Sequence, residues 1–357
     1  MATRNGFKLL KLPFLAIEQV FLYLEILEII DISLCSKRCK NVVKRNRATP
    51  ATYINIEFSR EHGVDVCSVD NKKAVATWNF SNTNMGNRKK MWWSIDGAEG
   101  YTLKNINSQN IRNGFYQCCT PSRQIAASMN TVISHLLEVL RNCYVKHVNI
   151  NMHYERVAYK TLLDLLKTCE SLEMISDGSS DHTKHVLSSI KITKTFNDKS
   201  YLYSSANPFL GALECTDHIN CDNASWMRAE TLLTLNCEYV ELKKARLTAE
   251  DIMEYLKKWK NSTGMGRVRK LNIMHTAVGI GPLDFEELGA MRWDPVKRAA
   301  MYRLHDGLYI MCNNGMDIER ADGLLATIVQ HETRGFFFLV WADRFPDQTF
   351  PYGAILL

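Results

Sequence analysis

No stretch of this chain is apolar for long enough to span a bilayer. Leu22–Ile32 is interrupted by Glu25, Glu28 and Asp31, and Phe336–Trp341 is only strand length. The first residues, Met-Ala-Thr-Arg-Asn-Gly, lack the apolar core of a secretory signal. No charge of one sign dominates. The 44 Lys and Arg against 38 Asp and Glu leave a net charge of +6, a mild excess that does not demand a nucleic-acid partner. Several catalytic signatures are also missing. His331-Glu332 is followed by Thr333-Arg334-Gly335, so the two-histidine helix of zinc proteases is absent. There is no glycine-rich phosphate loop ending in Lys and Ser or Thr, and Gly279-Ile280-Gly281 lacks a third glycine. There is no Gly-x-Ser-x-Gly elbow. The expectation is a protein with no enzymatic activity, no cofactor and no membrane partner. Its 11 cysteines read as free thiols in a reducing compartment, the cytosol or nucleus.

What the chain does have is hydrophobic content of 46% over 357 residues, a globular composition that suggests two or three units. The densest apolar segment is Leu12 to Lys44. Pro13 suits the first turn of a helix, where its missing N–H is not needed. Ile17, Val20, Phe21, Leu24 and Leu27 then share one helical face. Ile29, Ile30, Ile32 and Leu34 form a second apolar set, and Ser36 is placed to cap a third helix from Lys37. Three short helices in so few residues cannot bury enough apolar surface to stand alone, so they need a partner surface.

This segment resembles an F-box. The match rests on Leu12-Pro13, on the Ile17, Val20, Phe21 and Leu24 face, and on Ile32-Ser33-Leu34-Cys35-Ser36-Lys37-Arg38. It departs from the family at Phe14, where many members are polar, and at Cys39, where many carry tryptophan. The resemblance implies docking on the Skp-type adaptor of an SCF ubiquitin ligase with its cullin scaffold. Leu12, Pro13, Ile17, Val20, Phe21, Leu24, Ile29, Ile32, Leu34 and Ser36 are the implied contacts.

Arg45 to Pro50 is polar and ends in a helix breaker, so it reads as a linker between two cores. From Tyr53 the pattern alternates. Ile54, Ile56 and Phe58 mark one strand, and Val64–Val69, Ala74–Phe80, Met91–Ile95 and Arg112–Cys119 predict others. Ile125 to Leu140 carries a continuous helical stripe. A template of apolar residues at positions one, four and six then recurs at Val145–Ile150, Cys169–Met174, Leu210–Cys215, Cys237–Leu242 and Val268–Ile273. Helical segments are predicted between them at Val157–Lys167, Trp226–Leu233 and Ala249–Trp259. Thr248 and Asp251 form a capping box at the start of the last. The spacing is mostly near the leucine-rich repeat period and predicts a stacked strand–helix array. Phe285 to Leu304 reads as partly helical, broken by Pro295. Met316 to Val329 reads as a hairpin with Asp322-Gly323 in a two-residue turn, beside a buried strand at Gly335–Trp341.

A second resemblance covers the last third to half of the chain. Trp226–Trp259, Arg292-Trp293-Asp294-Pro295 and the Asp317–Gly323 region with Phe336-Phe337-Phe338 look like the F-box-associated type 2 domain of nematode F-box proteins. Members are taken to be substrate receptors of SCF-type ligases. The reading is therefore an α+β or α/β chain in four segments: an F-box at 8–47, a β-rich layer at 51–123, a degenerate leucine-rich-like array at 124–282, and a terminal part with a β-hairpin at 283–357.

Among remaining chemical candidates, Cys215-x2-His218-x2-Cys221 supplies three zinc-type ligands where four are usual, and buried thiols are favoured. Cys118-Cys119 has no base partner. Arg88-Lys89-Lys90-Met91-Trp92-Trp93 combines basic and aromatic residues and supports a rival nucleic-acid reading. Another rival is an adaptor-bound protein without ubiquitin transfer. The target, itself unidentified, is expected on the outward strand positions three and five of the template. These are His147, Asn149, Ser171, Glu173, Ala212, Glu214, Tyr239, Glu241, Lys270 and Asn272.

Overall fold

The computed structural model describes residues 9–46, 49–60, 62–70, 72–81, 91–95, 98–106, 112–119, 124–152, 159–176, 180–200, 209–261, 265–274, 280–303, 309–331 and 335–346. The chain divides into two compact units, Met1–Glu170 and Ser171–Leu357. This division differs from the four segments read in the sequence. The F-box segment, the β-rich layer and the first part of the array belong to one unit.

In the first unit, α1 (Phe14–Phe21), α2 (Ile26–Cys35) and α3 (Lys37–Arg45) follow one another with short breaks. Glu25 and Glu28 close a capping box at α2, and the Cys39 amide donates to Ser36 Oγ at 3.1 Å to cap α3. Strands β1 (Thr52–Phe58), β2 (His62–Ser68), β3 (Ala74–Ser81), β4 (Met91–Ile95), β5 (Ala98–Ile106) and β6 (Arg112–Cys119) come next. Then follow α4 (Ile125–Val139), β7 (Cys143–Asn151) and α5 (Tyr159–Leu165). The strand order is β7-β1-β2-β3-β6-β5-β4. Of these strands β5 was not expected. Its sequence AEGYTLKNI lacks the strict apolar alternation that marks its neighbours.

One sheet face carries Ile54, Ile56, Phe58, Val64, Val66, Trp78 and Phe80, all buried. Helix α4 turns Met129, Val132, Ile133 and Leu136 toward the interior, and all four are fully buried. The segment after α3 is not an independent linker. Asn46 and Thr49 are buried, and Asn142 Nδ2 donates to the Thr49 carbonyl at 3.4 Å.

Strand β8 (Thr168–Ile175) leads into the second unit. There α6 (Ser180–Ser189), β9 (Lys191–Asp198), β10 (His218–Cys221), α7 (Ala229–Leu232), β11 (Tyr239–Lys243), α8 (Ala249–Lys260) and β12 (Lys270–Met274) form the array. Short strands β13 (Met291–Arg292), β14 (Met301–Arg303) and β15 (Tyr309–Met311) precede the terminal β16 (Met316–Glu319), β17 (Leu325–His331) and β18 (Gly335–Trp341). The sheet runs β8-β9-β10-β11-β12-β18-β17-β16-β13, with β9 to β12 parallel and β18 antiparallel on β12. Phe196, Ile219, Val240 and Leu271 sit side by side across four strands and are fully buried. Their spacing is roughly 20–30 residues, the period of a leucine-rich array.

Two details of the repeat reading are corrected. Leu210–Cys215 is not a strand, and the strand of that repeat is β10. Leu213 and Cys215 are buried from a loop, which is why the apolar template matched there. Strand β9 was missed because its buried Ile192 and Phe196 are four apart, the spacing of a helix face.

Helix α8 begins with the expected capping box: the Thr248 amide donates to Asp251 Oδ2 at 2.8 Å, and the Asp251 amide to Thr248 Oγ1. It buries Ile252, Tyr255, Leu256 and Trp259, and Trp259 meets Phe338 edge-on at 5.0 Å. Burying a ring of this size contributes about 2–3 kcal/mol. Strand β18 is buried along its whole length because both faces are covered. Phe338 faces α8, while Phe337, Leu339 and Trp341 join Ala299, Ile310, Cys312 and Leu325 in a separate core. Gly335 has φ +101, and a Cβ there would lie 2.2 Å from the Ile273 carbonyl oxygen, so only glycine lets β18 close on β12.

The predicted helix in Phe285–Leu304 is absent among the described residues. Turns and the short β13 and β14 replace it, with Gly289 at φ +55. The β16–β17 hairpin forms as expected. Its loop is longer than the two-residue turn, since Arg320 exchanges hydrogen bonds with Leu324 and Gly323. Gly323, at φ +82, supplies the left-handed residue such a loop needs.

Candidate functional site

Two kinds of surface come out of this fold: an apolar rim on the N-terminal helices and polar faces on the strands. The rim comes first. Ile17, Phe21 and Ile29, expected to meet a partner, are buried at 4%, 1% and 0% exposure. They point into the first unit. Pro13 and Ser36 are exposed, and Leu12, Val20, Leu24, Ile32 and Leu34 are half-buried. The residues that do face outward are Phe14, Leu15, Leu22 and Tyr23, with Leu15 75% and Tyr23 87% exposed. Leu15 on α1 and Leu22, which continues its helical backbone just past the end, are seven apart and therefore lie on one side. Large apolar side chains grouped this way mark an interaction surface.

The rest of these helices is tied into the first unit. Tyr116 OH donates to Asp31 Oδ1 at 2.8 Å, and burial pushes the Tyr116 phenol up, with the Asp31 charge adding to it. Tyr116 is itself stacked on Trp78 at 4.0 Å with the rings nearly parallel. Ser33 Oγ and His135 Nε2 share a hydrogen bond of 2.9 Å, in which the imidazole tautomer sets the donor. Lys40 and Lys44 both reach Glu138 of α4, at 2.8 and 2.9 Å. Their hydrogen bonds and charges hold the Glu138 carboxyl down to about 2.

The polar strand face in the second unit follows from register. Thr195, His218, Tyr239 and Lys270 form one row, and Asn197, Asn220, Glu241 and Asn272 the next. Tyr239, Glu241, Lys270 and Asn272 are thus brought together as the alternation predicted. Lys270 and Asn272 are not solvated, however: they are 4% and 2% exposed. Strand β18 pairs beside them and places Leu339 and Phe337 directly opposite. The carboxylates of this face are already neutralised. Glu241 pairs with Lys270 at 2.5 Å, Glu173 with Lys199 at 2.7 Å and Asp222 with Lys243 at 2.7 Å. Glu214 pairs with Lys191, and both Glu214 and Ala212 lie off the strands. In the first unit, His147 and Asn149 share the outward face of β7, next to Asn55 and Glu57 of β1.

The remaining sequence candidates separate. Along β10, side-chain alternation puts His218 on the polar face and Cys221 in the core, so the Cys-His-Cys triplet does not converge. The described cysteines are all unbridged. Burial pushes the Cys143 thiol up to about 11 and those of Cys169, Cys237 and Cys312 to about 12, which suppresses the nucleophilic thiolate. Arg88-Lys89-Lys90 of the basic-aromatic stretch lies outside the described residues. Trp93 is buried and Trp92 is 68% exposed. No described helix is long and apolar enough to cross a membrane.

Sequence reasoning missed one buried constellation. Arg298 Nε donates to both Asp317 oxygens at 2.9 Å, and its other nitrogens donate to the Ala299 and Cys312 carbonyls. Thr327 Oγ1 donates to Asp317 Oδ1, and the Trp341 indole donates to Thr327 Oγ1, each at 2.7 Å. The available signal was a charged residue at an inward position of the hairpin, Asp317 beside Ile318. The network is satisfied internally and has the character of a structural clasp.

Comparisons with known proteins agree with this architecture. The family described as "F-box domain" matches residues 9–49, and the family described as "F-box associated" matches residues 212–273. Three proteins of Caenorhabditis elegans are similar along nearly the whole chain. "Uncharacterized protein F59B2.9" is 24% identical over 368 residues, covering 96% of this chain and 81% of its own. "Uncharacterized protein F59B2.8" is 23% identical over 363 residues, covering 96% and 80%. "Uncharacterized protein F54H12.5" is 23% identical over 362 residues, covering 94% of each. No solved structure matches. The three N-terminal helices thus match an F-box, part of the parallel strand array matches an F-box-associated segment, and the chain as a whole is similar to these proteins of Caenorhabditis elegans.

Proposed function

We propose that this F-box substrate-recognition protein serves as the receptor subunit of an SCF-type ubiquitin ligase. In this reading the F-box docks a Skp-type adaptor, which joins it to a cullin scaffold, and the strand faces hold a target protein. The protein itself contributes proximity, raising the concentration of the target near a charged conjugating enzyme. The observation that supports the reading is the exposed apolar rim of Phe14, Leu15, Leu22 and Tyr23. It sits on helices whose other face is already committed to the first unit.

The test is the double substitution Leu15→Asp with Tyr23→Asp, followed by affinity purification. Both side chains are exposed, so the melting temperature should stay within the small range of surface substitutions. Adaptor and cullin should be lost together, because a docked apolar pocket does not accept an unpaired carboxylate. Retention of both by the double variant would refute the docking surface. Retention of the adaptor by the unmutated chain without any cullin would instead favour an adaptor-bound role without ubiquitin transfer.

A further inference from the structure

Strand β4 ends the sheet of the first unit, and β5 pairs along only one of its two edges. Two residues separate β4 from β5, so Ile95 and Ala98 form a hydrogen-bonded pair. Alternation from that pair turns the Ser94 amide and carbonyl toward the open edge. An open edge is a template for another strand, and natural edges are blunted by proline or by inward charge. Met91-Trp92-Trp93-Ser94-Ile95 has neither. A cavity of about 740 Å³ lies along this edge, the size of a pocket for a side chain and its flanking backbone.

The strand divides the lining of the cavity into two sides. Trp93 and Ile95 are buried and face the helices, whereas Trp92, Ser94 and Glu99 are exposed and share the other side. Glu99 is the one acid of the lining, and it stands on that other side. Toward the helices the polar lining is Ser33 of α2, His135 of α4, and Ser36, Lys37 and Lys40 at the start of α3. Two features here have no partner within the fold. Lys37 opens the nine-residue α3, where the helix end is already positive, and the first turn holds no acid. Lys40 is drawn off to Glu138, but Lys37 forms no ion pair among the described residues. The Ser36 hydroxyl caps the Cys39 amide, so the Lys37 amide stays an orphan donor of the first turn. The second feature is independent of the helix. Trp93 projects from β4 into this lining at 6% exposure, and its indole Nε1–H has no acceptor. Gly100 stands opposite it on β5, so no side chain flanks the indole there. Buried N–H groups are normally paired, and this one is left for an acceptor from outside the chain.

We propose that this cavity receives an acidic side chain from a partner segment that adds to β4 as a further strand. The carboxylate accepts from the Trp93 indole and the Lys37 amide and neutralises the Lys37 ammonium, while the segment's backbone pairs with Ser94. The inference goes beyond adaptor docking and does not depend on it. A second copy of this chain is a poorer occupant, because pairing β4 on β4 would bring Trp93 or Ile95 to a pocket of donors. Single-stranded nucleic acid supplies an anion, but it has no peptide backbone for the open edge.

The test is fluorescence anisotropy on the full chain with three labelled probes. One is a peptide of threonine and valine with a central glutamate, the second has glutamine in its place, and the third is oligothymidylate. The glutamate peptide should bind roughly tenfold or more tightly than the glutamine peptide. Lys37→Gln should remove this preference, so that the two peptides bind alike. Its melting temperature should stay unchanged or rise, because a cation leaves the positive end of α3. Ser94→Pro removes the edge donor and should weaken both peptides. Absence of peptide binding, equal binding of both peptides to the unmutated chain, or a preference that survives Lys37→Gln would each overturn the proposal. A lower melting temperature of Lys37→Gln would assign this lysine to folding and overturn it too. Oligothymidylate that displaces the glutamate peptide and is itself lost with Lys37→Gln would replace the peptide by nucleic acid.

Discussion

Asp198 closes β9 in a fully buried setting, and its charge has measurable consequences for stability. Its Oδ1 accepts hydrogen bonds from the Ser200 amide at 3.0 Å and from the Ser200 hydroxyl, and the Trp226 indole lies beside the carboxyl. Burial raises its pKa from 3.8 to about 6, with the Ser200 and Trp226 hydrogen bonds opposing the rise and the nearby Asp222 charge adding to it. The folded state therefore holds this proton more tightly than the unfolded chain does. Stability from this group is fully present below the unfolded pKa of 3.8 and is lost as pH rises through about 6. A difference of about two pKa units corresponds to roughly 3 kcal/mol. Asp198→Asn keeps the Oδ1 acceptor for Ser200 and removes the titration. Its new amide donors lack partners, at a cost of about 1–3 kcal/mol that does not depend on pH. The decisive quantity is therefore the pH dependence of the difference between variant and wild type. Urea unfolding at about pH 4 and about pH 7.5 should show the variant gaining roughly 2.5 kcal/mol on the wild type between the two. A difference that stays constant across this range would refute the assignment of a buried, proton-binding carboxyl.

The Arg298–Asp317 pair is fully buried, so Arg298→Ala should cost about 3–5 kcal/mol by stranding the carboxylate, measured by urea melts of the second unit's tryptophans. Replacing both, as Arg298→Met with Asp317→Leu, should cost less than that single change, and an equal or greater loss would contradict an uncompensated charge as the cause. Tyr116→Phe should cost about 1.5–3 kcal/mol, because Asp31 loses a charge-acceptor hydrogen bond. A chain starting at Ala51 should melt without cooperativity in its first unit and bind a hydrophobic dye. Removing α1 to α3 takes Ile29, Ile30 and Val43 out of that unit's interior. Native-like melting of the shortened chain would show that the N-terminal helices contribute no core.

Much of this fold was legible where local patterns and tertiary environment agree. Met91–Ile95, Arg112–Cys119 and Gly335–Trp341 were found at their observed bounds, and the α8 capping box was found residue by residue. Agreement failed where burial came from elsewhere in the chain. Strand β9 keeps only Ile192, Phe196 and Asp198 buried, and its polar Lys191, Thr193, Lys194 and Thr195 hide the strand period. Lys270 reads as a surface residue by composition. It is buried because β18, nearly seventy residues later, pairs against β12, and no local pattern carries that information.

The N-terminal helices show the same limit at the candidate docking surface, and it decides how that surface must be tested. Periodicity states which residues share a face. It does not state whether that face meets the chain's own core or another protein. Three short helices layered against a unit have two apolar faces, and Ile17, Phe21 and Ile29 turned out to occupy the inner one. A charge at Phe21 would therefore abolish adaptor capture under either hypothesis. It would do so by removing a contact if the residue docked, and by unfolding the first unit if it did not. Leu15 and Tyr23 are exposed in the isolated chain, so only a partner can bury them. Loss of capture with an unchanged melt at these two positions distinguishes recognition from folding, which no substitution on the inner face can do.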